Sequence, residues 1–179
     1  MEIAIPDPCL VVLIGAAGAG KSTFAARHFE RSEVLSSDDY RALISGDAAD
    51  QTATGAAFGR LHRDLTRRLA DRRLSVVDAT NLTRGARMAL LRRAALARLP
   101  AVAIVFDLPA DLVLARNAGR PERIVDELVV RNHLDLLRAT LSQGARALEA
   151  EGFSKVIVLR DALDVDAVGL DRTPLDSLD

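Results

Sequence analysis

Cys9 is the only cysteine, tryptophan is absent, and Tyr40 is the single tyrosine. One cysteine cannot form a disulfide within the chain or a Cys-based zinc cluster. With so few aromatic side chains there is no platform for stacking nucleic-acid bases, the device common in single-strand binders. No apolar run approaches the ~20 residues a membrane helix needs. The short run Leu10–Ile14 follows an acidic start with no basic n-region, which excludes a secretory signal peptide. Lysine is scarce as well: Lys21 and Lys155 are the only two among 24 basic residues. These absences suit a cytoplasmic protein with no membrane partner.

What is present fits one domain. The chain has 179 residues, 49% hydrophobic and 27% charged, which is ordinary for a globular fold. Its net charge of −1 hides an asymmetry. Residues 161–179 hold six Asp and one Arg, which leaves the residues before them a net +4. Arginine suits bidentate phosphate contacts, so this body permits a local phosphate groove. It does not support a broad grip on duplex nucleic acid. Apolar density falls after Asp161, and residues 166–179 read as an acidic tail of interdomain-linker character beside a domain spanning 1–165.

Short apolar runs alternate with longer helical patterns. Strands are expected at Leu10–Ile14, Glu33–Ser37, Ser75–Val77, Ala101–Phe106 and Lys155–Leu159. Helices are expected at Lys21–Phe29, Thr54–Arg73, Arg84–Leu99 and Ala110–Ala118, and over most of Ile124–Glu151. Thr54–Arg73 carries Ala57, Leu61, Leu65 and Leu69 on one face. The alternation predicts an α/β fold, a parallel sheet covered by helices on both faces.

Gly15, Ala16, Ala17, Gly18, Ala19, Gly20, Lys21 and Ser22 match G-x-x-x-x-G-K-[ST] in full, with Thr23 next. The motif follows an apolar strand and opens a helix, as a phosphate-binding loop requires. The glycines let backbone N–H groups turn toward phosphates, and the helix N-terminus adds favourable dipole charge. Lys21 then neutralises the β- and γ-phosphates of ATP or another NTP, and Ser22 offers its hydroxyl to Mg²⁺.

Asp38 stands at the end of the second strand, where parallel sheets place their ligands. A carboxylate is a weak base, yet it can take the acceptor proton where phosphoryl transfer is largely dissociative. Arg41, three residues on, would share a helix face with it and hold an acceptor phosphate. Equally, Asp38 could cap that helix, with Arg41 a solvated side chain, and Asp39 competes for either role. Asp78 ends the third strand, where P-loop proteins place Mg²⁺ or its waters. Asn81 is read as the cap of the following helix, with Thr83 as the alternative.

Gly119 and Pro121 interrupt the helical pattern around Arg116, Arg120 and Arg123. Arginines on such a break could close over a γ-phosphate and offset developing charge, or could be ordinary surface side chains of a helix-turn-helix. His28, His62 and His133 fall in helical patterns with no partner at catalytic spacing. If bases are contacted, aliphatic surface such as Val129 or Val130 must serve.

Six segments together resemble the kinase module of bacterial polynucleotide kinase–phosphatase, an RNA end-healing and sealing enzyme. They are GAAGAGKSTF (Gly15–Phe24), VLSSD (Val34–Asp38) with Arg41, TGAAF (Thr54–Phe58), VVDATN (Val76–Asn81), VFDLP (Val105–Pro109) and RNAGRPER (Arg116–Arg123). They run in matching order over about residues 8–160. The resemblance implies a P-loop NTPase fold with a five-stranded sheet in order 2-3-1-4-5 and an Arg-bearing lid. It implies ATP-dependent phosphorylation of 5′-OH single-stranded RNA or DNA ends, with Mg²⁺. In that family Asp38 is the general base, Arg41 an acceptor contact, and Arg116, Arg120 and Arg123 the lid. Phosphatase and ligase domains of one full-length polypeptide would be its partners. A small-molecule P-loop kinase and a non-catalytic ATP-binding regulatory module are the alternatives.

Overall fold

The computed structural model describes residues 2–120 and 124–175. Five parallel strands form the central sheet: β2 (Leu10–Gly15), β3 (Val34–Ser36), β4 (Ser75–Asp78), β5 (Ala101–Phe106) and β6 (Lys155–Leu159). Their order is β3-β4-β2-β5-β6, which is the expected 2-3-1-4-5 once counting starts at Leu10. Because strand side chains alternate between faces, the sheet feeds two cores. Val11, Leu13, Ile104 and Phe106 enter one, with Phe24 of α1 (Lys21–His28) and Val113 of α5 (Ala110–Ala118). Leu10, Val12, Ile14 and Val105 enter the other. There they meet Leu61, Leu65 and Leu69 of α3 (Thr54–Ala70), and Leu90 of α4 (Arg84–Leu96). Such strands are buried on both sides, which is why they read as continuous apolar runs.

The remaining helices are α2 (Ser37–Ser45), α6 (Glu127–Thr140), α7 (Arg146–Glu149) and α8 (Ala162–Asp166). The long pattern over Ile124–Glu151 is thus two helices. They are separated by a turn in which Gly144 takes φ +70, a left-handed conformation that disfavours side chains. Arg87, 2% exposed, pairs with Glu151 at 2.7 Å and donates to the carbonyls of Asn81 and Leu82. That buried pair ties α4 and the turn after β4 to the segment following α7.

The segment read as an acidic tail is structured through residue 175. After α8 the chain forms β7 (Gly169–Pro174), which pairs in parallel with β1 (Glu2–Asp7) in a separate two-stranded sheet. Neither strand shows enough apolar alternation to be seen in the sequence. Long-range contacts specify them instead: Ile3 and Ile5 of β1 are buried in the first core, and Leu170 of β7 packs against it. Arg172 donates to both oxygens of Glu33 at 2.7 and 2.8 Å and lies over the Phe29 ring, 5.7 Å from its centre.

Burial pushes the Glu33 carboxyl up, but hydrogen bonds from Arg172 and the Glu30 backbone outweigh it and hold the group below its ordinary 4.5. A carboxylate with a depressed pKa stabilises the fold above its unfolded pKa and loses that contribution as pH falls through the folded value. Glu33→Gln is therefore expected to cost about 1–2 kcal/mol near neutral pH. The gap to wild type should close in acid below about pH 4.5. Denaturant unfolding at both pH values checks this, and a gap that stays constant would refute it.

Candidate active site

The phosphate loop spans the carboxyl end of β2 and the start of α1. Gly18 and Gly20 take φ +85 and +93. At Gly18 space is also short, since a Cβ there would meet the Val113 carbonyl oxygen at 2.8 Å. The loop is therefore packed directly against α5. Lys21, on the first turn of α1, is buried and donates to the carbonyls of Gly15 and Ala16 at 3.0 and 2.7 Å. Burial pulls its ammonium down to about 8; Asp78 opposes the shift and Arg120 adds to it. Asp78, 6% exposed at the end of β4, is raised by burial, with Lys21 and a hydrogen bond from Ser22 acting the other way. Register aligns Leu13 with Asp78 and Ser36 with Asp78, so three strand ends converge here.

The two readings of Asp38 separate cleanly. Ser36 is the N-cap of α2 and accepts from the Asp39 N–H at 3.5 Å; Asp38 sits in the first turn and is not the cap. Its carboxylate accepts from Arg41, and both line the main cleft. Arg41 is not a solvated side chain either: it is 5% exposed, and its Nε donates to the Ala48 carbonyl at 2.8 Å. Asp39 faces elsewhere. It pairs with Arg31 at 2.5 Å and borders a second, smaller cleft with Ser36, Ser22 and Asp78. Successive residues on a helix point about 100° apart, and here that rotation sends the two carboxylates to different clefts.

The main cleft has a volume of about 840 Å³. Arg116 and Arg120 line it, and Arg116 Nη1 lies 3.6 Å from where a Cβ on Gly20 would be. Arg123 lies outside the described residues. The base of the break is stapled: the buried Asn117 amide donates to the Val125 carbonyl at 2.7 Å and accepts from the Val125 N–H at 3.2 Å. Val129 is 42% exposed and lines the cleft, whereas Val130 is fully buried in the core. Of the two aliphatic candidates only Val129 can meet a ligand.

Asn81 does not cap a helix. Thr83 caps α4, accepting from the Ala86 N–H at 3.3 Å. Asn81 is buried with φ +49 and donates to the Leu13 carbonyl at 2.8 Å, tying the turn after β4 to the strand that carries the phosphate loop. His133 is the residue sequence reasoning passed over. From α6 its Nδ1 accepts from the Ala17 N–H at 3.5 Å, and it lines the cleft. Burial and the Lys21 charge keep its ring below the ordinary histidine value. The two residues are 116 positions apart, so no local pattern announces the contact.

Among the described residues no group of three His, Cys, Asp or Glu could hold a metal. The Ser22–Asp78 pair nonetheless fits Mg²⁺, which takes one or two protein ligands beside substrate phosphates and waters. No helix among the described residues is long and apolar enough to cross a membrane.

A family model described as an AAA domain matches residues 10–143. Among solved structures, a chain of the Pnkp1/Rnl/Hen1 RNA repair complex is similar with TM-score 0.66 and 24% identity. The match covers 78% of this chain and 47% of that one. Shikimate kinase from Acinetobacter baumannii matches with TM-score 0.52 and 20% identity, over 89% of this chain and 88% of that one. A gluconokinase from Sinorhizobium meliloti matches with TM-score 0.52 and 17% identity, over 97% and 89%. No curated protein matches the sequence. The shared feature is the fold, a five-stranded parallel sheet flanked by helices with the P-loop after β2. The chain spans about half the length of the repair-complex chain.

Proposed function

The chain belongs to the AAA domain family, and from that premise we propose that it is an ATP-dependent polynucleotide kinase that phosphorylates 5′-OH ends of single-stranded RNA or DNA. The observation that carries the reading is Asp38, bonded to Arg41 and lining one cleft with Lys21 of the phosphate loop. A nucleotide-binding switch would need no such acceptor-side set.

In this reading Lys21 and the loop N–H groups of Gly15–Thr23 hold the donor phosphates. Asp38 orients the acceptor hydroxyl and takes its proton as the oxygen bonds to the γ-phosphorus and the bond to the β–γ bridging oxygen breaks. Arg41 holds the acceptor strand beside that hydroxyl. Arg116, Arg120 and Arg123 spread the charge that develops on the transferring group. Bound Mg²⁺ would offset charge on the phosphates, and Ser22 and Asp78 would hold it, Asp78 through water. Val129 gives an exposed aliphatic contact for a terminal base, which suits sequence-tolerant binding. The segments VLSSD, TGAAF, VVDATN and RNAGRPER support a strand end as acceptor, as does the likeness to the RNA repair chain. The same reading makes phosphatase and ligase domains of one polypeptide its partners.

The test is transfer of label from γ-labelled ATP, with Mg²⁺, to a short 5′-OH oligonucleotide and to its 5′-phosphate control. Label on the 5′-OH strand alone is expected. Label on neither, with ATP binding intact, would overturn the proposal. A small-molecule kinase is the second reading, favoured by one observation: the shikimate kinase and gluconokinase are matched over 88% and 89% of their own chains. A panel of small hydroxyl acceptors run beside the oligonucleotide distinguishes the two.

A further inference from the structure

Asn117 is 3% exposed in the last turn of α5, between Arg116 and Arg120, which line the main cleft. Both halves of its amide serve one distant residue. Nδ2 donates to the Val125 carbonyl at 2.7 Å, and Oδ1 accepts from the Val125 N–H at 3.2 Å. The two residues are eight positions apart, and the Arg120 N–H donates to the Asn117 carbonyl at 3.3 Å. Pinning the ends of so short a loop restricts where the Arg120 side chain can reach. The other side of Asn117 meets the phosphate loop. A Cβ on Gly18 would lie 3.0 Å from the Asn117 Cβ and 3.2 Å from its backbone nitrogen. Arg116, the residue before, places Nη1 3.6 Å from where a Cβ on Gly20 would be. The Arg120 charge reaches the Lys21 ammonium and helps to lower it.

We propose that Asn117 is a positioning residue for phosphoryl transfer: packed on Gly18 and paired with Val125, it fixes Arg116 and Arg120 beside the phosphate loop. The inference rests on those two arginines offsetting charge in the transition state, and not on the identity of the acceptor. An amide suits the task because it carries a donor and an acceptor side by side. A carboxylate would oppose the Val125 carbonyl, and an aliphatic side chain would leave both Val125 backbone groups without the partners they have now. Groups that stabilise developing charge act through their preset direction, and a misplacement of about 1 Å can cost about 10²-fold in rate. Asn117 therefore contributes to the rate without touching the transferred group.

Single-turnover transfer from γ-labelled ATP with Mg²⁺, beside calorimetric ATP titration of the full chain, tests this. Asn117→Ala keeps the Cβ against Gly18 and removes only the amide. It is expected to slow transfer about 10- to 100-fold with ATP affinity near wild type. In an Arg116→Ala, Arg120→Ala background the same change should slow transfer less than about twofold, because Asn117 acts through those side chains. An equal loss in both backgrounds, or a loss of ATP affinity that matches the loss of rate, would make Asn117 a general support of the fold and overturn the proposal. Should Asn117→Ala not fold, Asn117→Asp carries the test. Its ionised carboxylate opposes the Val125 carbonyl, whereas the neutral acid donates to it and still accepts from the N–H. Its rate relative to wild type should rise as pH falls from about 8 to about 5, since burial favours the neutral acid; a flat ratio would overturn the proposal. The comparison runs equally with a 5′-OH strand, a small hydroxyl acceptor or water. A wild type that labels no 5′-OH strand would count against the acceptor assignment and not against Asn117.

Discussion

Asp38→Ala is expected to slow phosphoryl transfer about 10²- to 10⁴-fold while ATP binding stays near wild type. The carboxylate lines the cleft and accepts from Arg41, whereas Lys21 donates to the loop carbonyls, so on the proposed reading its loss should spare the donor. Truncation has a second effect, since Arg41 is buried and loses a charged partner. Asp38→Asn separates the two. Its amide oxygen can still accept from Arg41, but the side chain cannot take a proton. Asp38→Asn should therefore lose less stability than Asp38→Ala, because it keeps a neutral acceptor for Arg41 though not the charge, and should keep ATP affinity while losing activity nearly as far as Asp38→Ala. Single-turnover transfer to a 5′-OH oligonucleotide, beside ATP titration, provides the readout. Near-normal transfer by Asp38→Asn would remove Asp38 from the chemistry.

Lys21→Ala should lose both donor binding and transfer. Removing one preorganised charge-stabilising donor costs about 10²–10³ in rate, and on the proposed reading the same group would also hold the ground-state phosphates. Stability should move the other way. With its ammonium lowered from 10.5 to about 8, the folded protein is penalised for keeping Lys21 charged. Below pH about 8 that penalty is present in full. Between about 8 and 10.5 the unfolded chain binds the proton and the folded one does not, so wild-type stability rises with pH across that window. Lys21→Ala should hold or raise the melting temperature near neutral pH and flatten the rise above it. A variant that melts far below wild type at neutral pH would contradict the lowered pKa; one that binds ATP normally would contradict the phosphate role.

The phosphate loop could be read without a structure because its function depends on a local conformation: glycines at fixed spacing, a strand before and a helix after. The three central strands β2, β4 and β5 were legible for a similar reason, since burial on both faces demands unbroken apolar runs such as Leu10–Ile14 and Ala101–Phe106. Their order came from the resemblance to P-loop kinases, because hydropathy alone says which residues are buried and not which strand is the neighbour. The small sheet β1–β7 escaped notice. Its strands mix Glu2, Asp7, Asp171 and Arg172 with apolar residues, and their pairing joins the two ends of the described chain.

At the site, local sequence determined the chemistry available: one loop lysine, a serine hydroxyl, carboxylates at two strand ends and arginines around a helix break. Only the tertiary structure decided among them. It turned Asp38 into the main cleft and Asp39 out of it. It gave the N-cap to Ser36, buried Arg41 against the Ala48 carbonyl, carried His133 to the phosphate loop and folded α8 over the far end of the cleft. Each of those outcomes depends on the direction of a side chain relative to residues far away in the chain. A helical rotation, a buried hydrogen bond or a sheet edge sets that direction, and none of these has a signature in the neighbouring sequence.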